Sequence, residues 1–381
     1  MNTQRQIHRP RARAAGFSLV ELLLALALGL VVVTGIVQLF VGNSQTYSVL
    51  SGQARMQENG RFALEFIARA ARSAGFLGCT REPEALVRGL AGGWNLIPEV
   101  DVTRPVMGYD GAGSSSWSPP LTTLPRSESI DTNVRFAGRG IDTRLIAPGT
   151  DVLVFRGLRG TATHLAAVLQ PDGTPVVVAP DDDPGIVADD IVMIANCEQA
   201  AVVRVTDVSA GGGEATLQLG IGPIGGLPSG PGEALYRNAA TVVSPTGSVP
   251  FTLSFIGRSY GEDTLVGAVE SNFFFVAPGL GEDSTGAAPL ALWQKTGTAA
   301  PVELVQGIED LQVQFGIDTT LNDGVPNATR YVTAGNVPDP SQIVTVRVSI
   351  TANSVDAVQD GQRLRRTFTK TLLVRNANPE L

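Results

Sequence analysis

Residues 17–41 read FSLVELLLALALGLVVVTGIVQLFV, and this apolar run of 25 residues determines how the rest of the chain is organised. A helix of this length extends about 37 Å, enough to cross a hydrocarbon layer of about 30 Å. Four arginines precede the run, and no charged residue lies between Glu21 and Arg55. The positive-inside rule therefore places the N-terminus in the cytoplasm and the larger part of the chain outside. We predict one membrane-spanning helix.

The apolar run contains a single carboxylate, Glu21, close to its start. An unpaired carboxylate in hydrocarbon costs several kcal/mol, so Glu21 needs a positive partner if it is buried. The alternative is that Glu21 lies among the lipid headgroups beside the arginines of the leader.

Residues 16–22, GFSLVEL, lie behind a short basic leader and resemble the processing signal of type IV prepilins and type II secretion pseudopilins. The resemblance implies that a prepilin peptidase cuts between Gly16 and Phe17 and that Phe17 is N-methylated. It also implies that the apolar helix stays on the mature protein. Cleavage creates an ammonium group on Phe17, and in a filament this group can pair with Glu21 of a neighbouring subunit.

The helical pattern continues beyond the membrane segment. Apolar residues recur every three or four positions from Tyr47 to Ala74 without a proline, and Gly75 follows as a C-terminal stop. A helix from Phe17 to Ala74 is about 87 Å long, so its second half must pack on something. Glycines 29, 35, 42, 52 and 60 interrupt it. They either weaken the helix or allow another segment to approach it closely, and both readings stay open.

Further segments resemble PilW-type minor pilins of the type IV pilus, namely residues 56–69, 74–79, 305–318, 330–332 and 344–350. This resemblance implies a structural and assembly subunit that acts in pilus biogenesis, in an initiation or tip complex, and supports twitching motility and adhesion. It implies other minor pilins, the major pilin, the prepilin peptidase, the assembly platform and the inner membrane as partners. The expected location is the bacterial inner membrane, crossed once with a periplasmic head, and the assembled pilus.

The rest of the chain is typical of a turn-rich β protein. It contains short apolar segments bounded by turn residues, and apolar and polar residues alternate strictly over 344–350. We predict an α+β fold, in which a long helix with a membrane-spanning half and an amphipathic half precedes a large, mostly antiparallel β head. The predicted units are a cleaved leader over 1–16, the helix over 17–75, and an extracytoplasmic head over 76–381 with room for two subdomains. Residues 80–148 and 277–300 are expected to be irregular.

Charge argues against nucleic acid as a partner. The leader holds four of the 28 basic residues and no acidic one, so the remainder carries 24 basic and 36 acidic side chains, a formal charge of −12. Nucleic-acid binding through a broad face requires clustered lysine and arginine, because it is driven by counterion release.

Catalytic and metal motifs are also missing from the sequence. His164 is the one histidine outside the leader, and there is no H-E-x-x-H, C-x-x-C or G-x-S-x-G pattern. Asp318 to Asp323 has oxygen donors and a glycine, but its spacing departs from the calcium-binding EF-hand loop, and we favour a solvated turn. We therefore predict no enzyme, no cofactor and no metal site.

Two other functions stay open. A J-type pseudopilin of type II secretion shares the leader, the helix and a β-rich head. A membrane-tethered periplasmic binding protein or adhesin would keep the membrane anchor but would not need Gly16, Phe17 or Glu21.

Cys79 and Cys197 are the two cysteines of the chain, and both lie on the side predicted to be oxidising. We predict a disulfide between them; the alternative is two separate buried thiols. The bond would close a loop of about 118 residues, for which the chain-entropy model gives nearly 5 kcal/mol as an upper figure.

The disulfide can be tested on the purified protein. Reduction should change its mobility on non-reducing gels, and neither thiol should react with an alkylating agent before reduction. Two alkylatable thiols together with unchanged mobility would show that the bond is not formed.

Overall fold

The structure is a computed structural model. It describes residues 18–76, 86–88, 102, 104–113, 116–121, 143–160, 162–169, 176–178, 185–197, 200–211, 214–219, 241–244, 247–250, 260–297, 299–320, 327–358 and 361–376. The cleavage position between Gly16 and Phe17 lies outside these residues, and so does Cys79.

One helix precedes all the strands. Helix α1 runs over Leu19–Ser73, 55 residues without interruption. The strands that follow are β1 Leu86–Arg88, β2 Val106–Gly111, β3 Trp117–Ser118, β4 Val152–Leu158, β5 Thr163–His164, β6 Val176–Val178, β7 Ile191–Ala195, β8 Ala200–Arg204, β9 Asp207–Gly211, β10 Glu214–Gln218, β11 Thr241–Ser244, β12 Gly247–Pro250, β13 Leu265–Pro278, β14 Leu290–Thr296, β15 Val302–Gln306, β16 Ile308–Ile317, β17 Arg330–Val332, β18 Ile343–Asn353 and β19 Arg365–Leu373.

The largest sheet has ten strands and is organised around β13. Along its main path the order is β1-β8-β7-β13-β4-β2-β3, while β14 and β5 also pair with β13, and β15 pairs with β14. The first part of β13 pairs with β7, and its later part lies between β4 and β14. Because β13 has 14 residues, it can serve two sets of partners in succession. Within this sheet, β1 with β8 is the parallel pair.

A second sheet of four antiparallel strands has the order β17-β16-β18-β19. Along β18 the side chains alternate between a buried face, with Val346, Val348 and Ile350, and a more exposed face. The predicted alternation is therefore confirmed. The smaller sheets are β6-β10-β9 and the hairpin β11-β12.

The predicted fold class is confirmed, since a long apolar helix precedes mostly antiparallel sheets. The expectation of irregular structure is wrong where β1, β2 and β3 lie within 80–148 and where β14 lies within 277–300; much of 80–148 lies outside the described residues. Strand β14 was missed because polar residues interrupt its short apolar run, although Lys295 is buried on it.

The segment 200–211 forms two strands, β8 and β9, in different sheets. The chain changes sheets between them: the Val205 N–H bonds to the Asp190 carbonyl, and the Thr206 N–H bonds to the Gln218 carbonyl. The disulfide stays a prediction, because Cys79 is not described, although Cys197 is not a free thiol.

Asp151 joins the ten-stranded sheet to the four-stranded sheet. One of its carboxylate oxygens accepts the Gly111 N–H of β2 at 2.9 Å, and the other accepts the Val313 N–H of β16 at 2.7 Å. Its own N–H bonds to the Leu311 carbonyl. Burial raises the pKa of Asp151 to about 6, against the lowering effect of the two backbone N–H groups, and nearby Asp110 and Asp310 raise it further.

We expect this carboxylate to make stability depend on pH. The pKa of Asp151 is higher in the folded chain than in the unfolded chain, so the folded state binds more protons between pH 4 and 6. The free energy of unfolding should therefore fall as the pH rises through this window, by at most about 3 kcal/mol, and the contribution should level off above it. Urea unfolding at pH 4 to 7 measures the slope.

Asp151→Asn should remove this slope and also lower stability at pH 7 by about 1–3 kcal/mol, because an amide nitrogen cannot accept the second backbone N–H. Asp110→Asn is the control, since it removes a neighbouring charge but keeps most of the slope. An unchanged slope in Asp151→Asn would contradict the assignment.

Candidate functional site

The first half of α1 is an uncovered apolar rod. From Leu19 to Leu50 its large hydrophobic side chains are exposed, with Leu19 at 75% and Phe40 at 73%. A water-soluble surface rarely carries a continuous apolar patch of this extent. The helix is long and apolar enough to cross a membrane.

Glu21 lies in the first turn of this rod and is exposed. The helix begins after Ser18, whose carbonyl accepts the Leu22 N–H at 3.1 Å. A carboxylate in the first turn is favoured by the helix dipole, which places partial positive charge there. Among the described residues no ion pair of Glu21 is found, so its predicted partner must come from outside this part of the chain.

The glycines of α1 fall into two groups. A Cβ atom added at Gly29, Gly35 or Gly42 would have nothing within 4 Å. At Gly52 it would lie 2.7 Å from Val358, and at Gly60 it would lie 2.5 Å from the ring of Phe368. The close-packing reading therefore applies to the last two glycines, where the head approaches the helix.

The second half of α1 is packed on the head. It contacts β4, β15, β18 and β19, which we call the helix seat. Ala63 and Ile67 are fully buried in this contact, and they share one core cluster with Val348 and Ile350 of β18. Small residues on the buried face let the helix lie close to the sheet, while Ile67 fills the space between them.

The C-terminal end of α1 is held by backbone contacts. Gly75 has φ of +74°, which favours glycine, and its N–H bonds to the Arg156 carbonyl of β4 at 2.8 Å. The side chain of Asn376 donates to the Ala74 carbonyl at 3.2 Å. Gly157 faces the carbonyl of Ser73 so closely that an added Cβ would lie 2.3 Å from that oxygen. This end of the helix is therefore fixed to both sheets.

The end of the seat nearer the apolar rod, around Asn59, is held by loop contacts. Asn59 donates to the Gln306 carbonyl at 3.0 Å. The loop that carries Val358 is tied to the turn before β14, because Arg363 bonds to Asp283 and the Ser284 N–H bonds to Asp356. The hydrogen bond from Thr285, followed by other donors, lowers the pKa of Asp283 to about 2. Asp283 is therefore ionised at any physiological pH.

The other flank of α1 borders an open groove beside β15. Phe62 and Phe66 line it from the helix, and Leu304 and Val305 line it from the strand. Phe62 remains 44% exposed there.

Asp318 has a structural role in its turn. Its carboxylate accepts the N–H groups of Thr320 and Asn327 at 2.8 and 2.9 Å and the Thr320 hydroxyl at 2.7 Å. These donors lower its pKa. Within the described ranges, no group of three His, Cys, Asp or Glu residues is placed to hold a metal ion. Asp323 lies outside those ranges.

Two protein-family models match the chain. Residues 11–37 match the prokaryotic N-terminal methylation motif, and residues 279–369 match the type IV pilus-assembly protein W family, PilW. The predicted resemblance to the PilW family, with an N-terminal methylation motif, is confirmed over these two regions. No curated protein and no solved structure matches it.

The two matched regions coincide with the two parts of the site. The methylation motif covers the predicted cleavage position and the first part of the uncovered rod. The PilW region begins at the turn before β14 and ends within β19, so it contains β15 and β18 of the helix seat in full and the first part of β19. The region that matches the PilW family thus lies against the second half of α1.

Sequence reasoning placed Glu21 at the start of the helix correctly but missed the seat. The spacing of Gly52 and Gly60, two turns apart on one helix face, was the available signal. It could not identify Val358 and Phe368 as the facing residues, because they lie about 300 positions away in the chain.

We expect Gly157→Ala to loosen the helix end. The new methyl group would meet the backbone oxygen of Ser73, which cannot rotate away as a side chain can, so the free energy of unfolding should fall by about 1–3 kcal/mol. Gly42→Ala is the control, since it has open space and gains helix propensity. Chemical unfolding of the detergent-solubilised protein measures both, and equal stability of the two variants would contradict the close contact.

Proposed function

We propose that the chain is a minor pilin, made as a prepilin and incorporated into a type IV pilus. The observation that carries this proposal is the division of α1: its first half is an uncovered apolar rod, while its second half is fixed in the seat formed by the PilW region. A rod held in this way can leave the bilayer only for another apolar environment. The packed helices of a filament provide one.

The proposed processing follows from the methylation motif. A prepilin peptidase cuts between Gly16 and Phe17, and Phe17 is N-methylated. The cut removes the four arginines of the leader, which would otherwise hold the N-terminus at the cytoplasmic surface. The mature chain then begins with an ammonium group only four residues before Glu21.

Glu21 is proposed as the residue that sets the register of assembly. In a low-dielectric filament core its carboxylate is costly without a partner, and the ammonium of a neighbouring Phe17 neutralises it. An axial shift of the subunit would separate the two charges and leave both unpaired. Glu21 therefore selects one position for the incoming helix.

We also propose a place in pilus assembly, a set of partners, a location and a domain division for the protein. The protein acts in pilus biogenesis, in an initiation or tip complex, and supports twitching motility and adhesion. Its partners are other minor pilins, the major pilin, the prepilin peptidase and the assembly platform. It resides in the inner membrane with a periplasmic head and in the assembled pilus, and the disulfide between Cys79 and Cys197 forms on that side. The domain division is a leader over 1–16, the helix over 17–75 and the head over 76–381.

A J-type pseudopilin would have the same leader, helix and β-rich head. It would differ in joining the filament of a type II secretion system. Deletion of the gene should remove surface pili under our proposal, whereas loss of secreted enzymes with intact pili would favour the pseudopilin. A tethered binding protein or adhesin would tolerate loss of the Phe17 terminus and of Glu21.

Glu21→Ala should leave membrane insertion and cleavage unchanged but lower incorporation into pili at least tenfold, because the unpaired ammonium of the neighbour then remains in low dielectric. Mass spectrometry of the mature N-terminus checks cleavage, and immunoblots of sheared pili measure incorporation. Glu58→Ala is the matched control, because it removes an exposed carboxylate from the part of the same helix outside the membrane.

Normal incorporation of Glu21→Ala would overturn the pairing. A wild-type chain that keeps its arginine-rich leader, or that loses the helix and is released as a soluble fragment, would overturn the minor-pilin proposal itself.

A further inference from the structure

Five basic residues that are not buried lie on α1 and on or just after β19, two elements that the shared pairing of Glu65 with Arg72 and Lys370 brings together. We call this set the basic strip; its members are Arg61 and Arg72 of the helix, Arg366 and Lys370 of β19, and Arg375 just after it. Helix and strand run in the same direction here, since Gly60 faces Phe368 and Ala74 contacts Asn376. The strip therefore follows the helix for about 17 Å.

The strip is unusual because the chain without its leader has a formal charge of −12. Glu65 is the carboxylate within the strip, and it is shared by Arg72 at 2.8 Å and Lys370 at 3.4 Å. In the part of the chain that the structure describes, Arg61, Arg366 and Arg375 make no ion pair, and Arg366 lies 5.4 Å from the ring centre of Phe368.

In the described ranges, several arginines of the head are paired with acids, although Arg330 and Arg347 are not among them. Arg204 bonds to Asp189, Arg363 to Asp283, and Arg365 to Glu309. Like charges placed side by side on a surface lower stability slightly, so fold stability does not explain the basic strip. Its unpaired charges remain available to a partner.

The edge of β19 lies beside the strip. Over its nine residues β19 pairs with β18, and among the described strands it has no second neighbour. Positive charge on an edge strand discourages pairing with arbitrary strands. The same charge favours a segment that carries carboxylates, so the edge discriminates between partners.

We propose that the basic strip and the edge of β19 dock an acidic segment on the head of another pilus subunit. This inference rests on the proposed function, since it assumes a filament or assembly complex in which heads meet. The pairs would be solvent-exposed, so they would contribute mainly to orientation and association rate and would weaken with salt.

Membrane lipid and nucleic acid fit the strip less well. Arg61 lies about 30 Å beyond the end of the apolar run when measured along the helix, out of reach of lipid headgroups. Glu65 interrupts the strip, and the acidic body around it would repel a long polyanion.

The test uses the full-length protein in cells, with a photoreactive amino acid at Gln57, an exposed residue of α1 one helical turn before Arg61. The crosslinked segment is identified by mass spectrometry. We expect a pilus subunit joined through a segment rich in Asp or Glu. Arg61→Glu with Arg366→Glu should lower the crosslink yield about tenfold or more, because two attractions become repulsions. Arg61→Lys with Arg366→Lys should keep most of the yield.

The matched control is Arg55→Glu with Arg330→Glu. It also reverses one exposed helix residue and one exposed residue of an edge strand, but on the opposite flank of the helix and the opposite edge of the sheet. Equal losses in both charge-reversed pairs, no crosslink, or a crosslinked segment without acids would overturn the inference. Binding of the purified protein to a DNA duplex that is lost only in the Arg61 and Arg366 pair would also overturn it, in favour of nucleic acid.

Each variant is first checked for the methylated Phe17 terminus and for presence in sheared pili. Absence of the wild-type protein there would contradict the proposed function. Presence there together with a crosslink that does not respond to charge reversal would contradict the basic strip alone.

Discussion

Burial of apolar surface on α1 is the constraint on which the rest of the structure depends. The helix is 55 residues long, and its own head covers only the second half. The first half must be covered by lipid or by other helices, because water would contact an apolar surface along its whole length. The head therefore packs on the second half of the helix and leaves the apolar rod accessible to lipid or to other helices. The PilW region contains most of the helix seat.

The helix seat binds α1 mainly because glycines let the helix and the head come close together. Large interlocking side chains contribute less. Gly52, Gly60 and Gly157 each allow a neighbour to come within a distance that a methyl group would prevent. Backbone contacts at Gly75 and Ala74 then fix the end of the helix. Because both β4 and β19 take part, and Asp151 joins the two sheets, displacement of the helix end would disturb both sheets together.

Local signals in the sequence predicted the parts of this architecture that depend on neighbouring residues. The apolar run, the position of Glu21 and the alternation along β18 were all readable, since helix and strand periodicity are local. The seat was not readable, because Phe368 meets Gly60 across about 300 residues. Strand β14 was hidden by Gln294 and Lys295, whose polarity masks their place beside the long β13. The pairing of Glu65 with Lys370 likewise needed the fold.

Charged groups on the head can decide which subunits become neighbours, whereas the apolar half of the helix cannot. Under the proposed function, apolar packing of the rod is non-directional, so it would hold a subunit in a filament without choosing which neighbour lies beside it. In the pairing that we propose, Glu21 selects the axial position, because a displaced carboxylate in low dielectric is costly. Neither effect distinguishes one pilin from another when their apolar helices are alike. Under the proposed function, discrimination must therefore come from the heads, and the proposed docking surface between α1 and β19 combines unpaired charge with a strand edge.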